Sequence, residues 1–128
     1  MDLHLNPDGP RTPDYTTAVA LGLTECVRVL NSHTRDAAAL PDPQTIYEVL
    51  GDLHAGAAKS DQLLQQISRR LGELLESDRL ADDRGNPTGS VLAAVNSLEA
   101  ARSAAYQLAS HLERAHLATA TLHLREGQ

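Results

Sequence analysis

The chain has no Phe and no Trp, and its aromatics are Tyr15, Tyr47 and Tyr106 in 128 residues. This removes the large anchors of many cores and the stacking platforms typical of single-strand nucleic-acid binders. A single cysteine, Cys26, excludes an intramolecular disulfide; on the apolar face of its helix it reads as a small hydrophobe. Basic clusters are missing as well. Among 11 Lys and Arg only Arg69 and Arg70 adjoin, and with 17 Asp and Glu the net charge of −6 repels phosphate backbones. No apolar run approaches the roughly 18–20 residues of a membrane span, and no polybasic stretch suits a membrane surface. The opening MDLHLNPDGPRTP lacks the basic and apolar regions of a signal peptide. Together these absences predict a cytoplasmic chain that engages neither nucleic acid nor membrane.

Signatures of chemistry are equally scarce. There is no nucleophile elbow, no Gly-rich phosphate loop with its Lys, and no base beside Cys26. The sequence therefore predicts a non-enzymatic protein without a cofactor. What it does contain is leucine and alanine at helical spacing, with 41% apolar residues overall.

Residues 1–12 carry Pro7, Gly9 and Pro10 and read as an irregular arm. Thr12 followed by Pro13 is a cap-plus-proline start for a first helix over about 13–34, with Val19, Leu23, Cys26, Val27 and Leu30 on its apolar face. The segment DAAALPDP breaks it. Asp42–Pro43 starts a second helix, to about residue 78, with Ile46, Leu50, Leu53, Ala57, Ser60, Leu64, Ile67, Leu71 and Leu74 alternating in steps of four and three. This is a 3.5-residue repeat, the pattern of helices packed lengthwise. After the breaker-rich turn ADDRGNPTGS, a third helix over about 88–124 repeats the spacing at Val91, Ala94, Leu98, Ala101, Ala105, Leu108, Leu112, Ala115, Thr119 and Leu122. The expected fold is all-α: a three-helix antiparallel bundle over 13–124 with one shorter helix and a long hairpin, followed by a tail at 125–128. Across the hairpin, residues whose numbers total about 166 should face each other, placing Ala57 near Ala109 and Leu53 near Glu113.

The segments AVALGLTECVRVLNSHT and PQTIYEVLGDLHAGAAKSDQLLQQISRRL, with the Asp/Gly-rich turn and the Ala-rich helix after them, resemble small all-helical proteins of unassigned function encoded by high-GC actinobacteria. The resemblance covers most of residues 15–124 and implies the helical fold but no activity.

Two features point to association. Gly51, Gly56 and Ala57 interrupt the second helix with small residues, each glycine costing roughly 1 kcal/mol relative to alanine. They predict close packing, with Tyr106 or Leu23 filling the space. Secondly, the turn-proximal half of the hairpin concentrates Leu63, Leu64, Ile67, Leu71, Leu74 and Leu75 opposite Val91, Val95 and Leu98. Two helices cannot bury all of these, so the sequence predicts a homodimer that forms a four-helix layer, or a helical protein partner docked on the same half. The competing reading is metal binding. Glu113-x-x-His116 has the spacing of ferritin-like di-iron helices, and a dimer with Glu48 or Asp52 nearby would supply further ligands for iron or zinc. His54 and His111 are expected to approach across the hairpin.

Overall fold

In a computed structural model, which describes residues 5–126, three α-helices account for 72% of the described residues, and no strand occurs among them. They are α1 (Pro13–His33), α2 (Pro43–Glu76) and α3 (Pro87–Thr119). Each begins in the same way. Thr12, Asp42 and Asn86 are the N-caps, their side chains accepting from the main-chain N–H of Tyr15, Thr45 and Gly89, and each precedes a proline in the first turn. Proline costs nothing there because its missing N–H would have lacked an intrahelical partner. Asn86 was not legible as a cap within the breaker-rich turn. Its side chain folds over Gly89, where a Cβ would collide with the Asn86 amide.

The single domain expected over 13–124 divides at the proline breaker into two compact units, Met1–Pro41 and Asp42–Gln128. In the first, the described part of the arm folds onto its own helix. Asn6 donates its N–H to the Tyr15 hydroxyl at 2.9 Å, and Arg11 donates to the carbonyls of Pro7 and Gly9. Residues 1–4 of the predicted arm, including Leu3, and residues 127–128 of the tail lie outside the described residues.

The second unit is an antiparallel hairpin. His54 bonds to Ala109, Asp61 to Arg102 and Tyr47 to His116, so facing residues total 163 instead of 166. The difference arises at the turn, since α2 stops at Glu76 and α3 starts at Pro87, both earlier than the periodicity predicted. The chain reverses through Asp78 and Gly85, at φ of 65° and 79° respectively. With this register, α3 ends where α2 begins. Beyond Ala120 no α2 residue lies opposite, and the predicted helical residues 121–124 would extend past the end of the hairpin contact.

Little is deeply buried in the hairpin: Val91 and Ala109, each 7% exposed, are its buried apolar residues among those described. On α3 the half-buried series follows the predicted Val91, Ala94, Leu98, Ala101 and Ala105, then moves one residue round to Ala109, with His116 in place of Ala115. On α2 the same displacement brings Tyr47, His54 and Ser68 toward the seam in place of Ile46, Leu53 and Ile67, which are exposed. One residue is a rotation of about 100°. The contact thus runs along the polar edge of the heptad stripe, and part of the stripe is left on the hairpin's flank.

Candidate functional site

The seam explains one of the two glycines. His116 reaches across from α3, its Nδ1–H donating to the Tyr47 carbonyl at 2.8 Å and its ring stacked on the Tyr47 ring at 3.9 Å and 16°. Directly beneath lies Gly51, where a Cβ would stand 2.8 Å from His116 Cε1. His54 makes the reciprocal bond from α2, Nδ1–H to the Ala109 carbonyl at 2.9 Å. Each helix therefore pins the other's main chain with an imidazole. Gly56 differs, because nothing lies within 4 Å of a Cβ built there, and the close packing expected at that residue is not found. Tyr106 and Leu23, expected to fill the space at the glycines, are both strongly exposed. Ala57 does come beside Ala109, as expected.

The hairpin has two unlike flanks. On one, Ala58, Asp61, Tyr106, Ser110 and Glu113 rim an open groove of about 350 Å³ over His54, Ala57 and Ala109. Charge gathers at this groove. Arg102 donates from Nε to Asp61 at 2.9 Å and from Nη1 to Glu99 at 3.0 Å, and these two carboxylates, Asp61 first, raise the guanidinium pKa above its ordinary value.

Helical geometry assigns the other flank. Ile46, Leu53, Ser60, Ile67 and Leu74 recur every seven residues on α2, with Leu63 alongside; Ala94, Ala101, Leu108 and Ala115 do so on α3. Since Ala58 and Tyr106 share the groove side, these two stripes share the opposite side; neither contains a charged residue, and Arg70, seven residues beyond Leu63, borders them. Leu53, Leu63, Ile67 and Leu108 are 42%, 53%, 43% and 54% exposed there.

The predicted interface residues therefore separate. Leu63 and Ile67 are open, and Leu64, Leu71, Leu74, Leu75, Val95 and Leu98 are half-buried. Val91 is not available to a partner, because the hairpin itself covers it. Leu53 and Leu108 are open on the same flank but were not recognised from sequence, where both were placed in the seam.

The four candidate metal ligands are not brought together. His116 is engaged with Tyr47, Glu113 rims the groove, Glu48 accepts from the Gln44 amide at 3.2 Å and Asp52 is exposed. Among the described residues no group of three His, Cys, Asp or Glu is placed to hold a metal ion. Of the two histidines expected to approach, His54 bonds to the Ala109 carbonyl, and the exposed His111 accepts from Arg114 at 2.7 Å on its own helix. Cys26, read as a buried hydrophobe, is exposed. No described helix is long and apolar enough to cross a membrane. No protein-family model matches the chain, and no curated protein and no solved structure matches it.

Proposed function

We propose that this protein is a non-enzymatic helical interaction module, whose docking surface is the uncharged flank of the hairpin in its turn-proximal half. The supporting observation is the displaced seam. The hairpin spends its polar and small residues on the contact between its own helices and leaves Leu63 and Ile67 open to water beside half-buried Leu64, Leu71 and Leu74. Burying a large aliphatic side chain is worth roughly 1.5–3 kcal/mol, so a helix laid along this stripe gains several such contributions, with Arg70, seven residues beyond Leu63 and exposed beside Glu73, as the charge at its edge. Another copy of the chain or a helical partner meets that requirement equally.

The test is purification of the wild-type and Ile67→Asp proteins from their native host, with mass measured by light scattering and helix content by circular dichroism. Wild type should emerge in an assembly, either of itself or with a second helical protein. Ile67→Asp should emerge alone with its helix content retained. A wild-type chain that emerges as a lone monomer removes the reading.

A further inference from the structure

Resting on that reading, we infer that the occupant of the uncharged flank is a second copy of this chain, related by a two-fold axis parallel to the helices, so that α2 of each copy lies on α3 of the other. The two stripes differ in size. On α2 the flank carries Leu53, Leu63, Ile67 and Leu74, whereas the facing part of α3 offers Ala94, Ser97, Ala101 and Ala104 before Leu108. One flank thus holds a ridge and a shelf side by side. Pairing ridge with ridge would hold the two alanine rows apart and leave voids, which close-packed interfaces avoid. Pairing each ridge with the partner's shelf equalises the spacing between the layers.

Only one kind of two-fold does this. An axis parallel to the helices exchanges left and right between the layers, placing α2 over α3 in antiparallel orientation with both turns at one end; an axis across the helices places α2 over α2. The parallel axis also keeps each residue at its own level. In the hairpin register, Leu63 of one copy then meets the partner at the level of Ala101, and Ile67 meets it between Ala94 and Ser97. Such a contact closes on itself and yields a dimer of four helices, not an open chain.

The dimensions suit the assignment. The contact must extend past the turn-proximal half to Leu53 and Leu108, since from Ile46 to Leu74 the stripe runs about 40 Å and two helices side by side are about 20 Å wide, giving about 800 Å² on each copy. A standard stable interface needs about 800 Å² per partner. The other flank is a poor rival. Its Arg102–Asp61–Glu99 cluster and Glu113 would have to be desolvated, and its open groove leaves a gap beneath a flat partner.

The experiment uses the full-length chain with Cys26→Ser. Two singly substituted proteins, Leu63→Cys and Ala101→Cys, are oxidised separately and as a mixture. The expected result is a disulfide-linked dimer in the mixture and little in either protein alone. Light scattering of the unsubstituted chain should give the dimer mass at about 50 μM, and Ile67→Asp should weaken association by about 30-fold or more. Cross-linking of Leu63→Cys chiefly to itself overturns the ridge-on-shelf arrangement, although the flank would still be the docking surface. A monomeric recombinant chain that assembles with a different helical protein in the host overturns the second copy as occupant and leaves the docking reading intact. An intrachain disulfide in Leu63→Cys with Cys26 retained places α1 on the flank and overturns both.

Discussion

At the scale of single residues, the two glycines of α2 make opposite demands although they are five positions apart in one helix. Gly56 faces open space, so Gly56→Ala should raise stability by about 1 kcal/mol through helix propensity alone. At Gly51 the same propensity gain meets the His116 ring, whose displacement breaks the stack on Tyr47 and the bond to its carbonyl. Gly51→Ala should therefore yield no gain or a loss, and on a His116→Ala background it should recover about 1 kcal/mol. Urea melts of the four proteins measure this coupling, and equal effects of Gly51→Ala on the two backgrounds would remove the role assigned to His116. Ser68 supplies a second case. Its hydroxyl oxygen is buried without a hydrogen-bond partner in the helix seam, so Ser68→Ala should stabilise by about 1 kcal/mol, read from the same melts. The sequence showed that glycine was unusual here but not why, because the cause is one imidazole arriving from 65 positions along the chain.

At the scale of elements, what was legible was local. Helix starts were fixed by a cap followed by proline, and two of the three were read at the residue itself and the third one residue late. The seam was less accessible. A heptad series identifies the apolar stripe of a helix but not which edge of the stripe touches its neighbour, and that edge was decided here by His54, His116 and Ala109, polar or small residues that periodicity discounts. The end of α3 was also hidden, since it depends on where α2 starts in the folded register.

The turn between α2 and α3 has its own acid dependence. Asp82 accepts from the Ser90 hydroxyl at 2.7 Å and from the Asn86 N–H at 3.2 Å, and its carboxyl is held below the ordinary value, by Ser90 first. A lowered folded-state pKa contributes stability that is present above the unfolded value of about 4 and is lost as pH falls through the folded value. Thermal melts at neutral pH and near pH 3 should thus show a smaller acid-induced loss for Ser90→Ala than for wild type. Equal losses would mean that the Asp82 contact does not carry the effect.

At the scale of the whole molecule, the hairpin's sparse burial sets a condition on how the chain is stable at all. With Val91 and Ala109 as its buried apolar residues among those described, much of the hairpin's apolar stabilisation remains to be gained outside the seam, on the flank that carries Leu53, Leu63, Ile67 and Leu108. If a second copy covers that flank, folding and association are linked, and a complex that only the folded state forms stabilises by RT ln(1 + [L]/Kd). Melting temperature must then rise with protein concentration. A hundredfold increase, once above the dissociation constant, raises the free folded monomer about tenfold and adds about 1.4 kcal/mol of apparent stability per chain, enough to move the midpoint by several degrees for a chain of this size. Ser68→Ala should shift the whole curve upward without changing its slope, because that residue lies in the helix seam and its substitution leaves the flank unaltered. Ile67→Asp should flatten the dependence. A wild-type midpoint independent of concentration, with helix content intact, would mean that the hairpin is stable without a second copy on its uncharged flank.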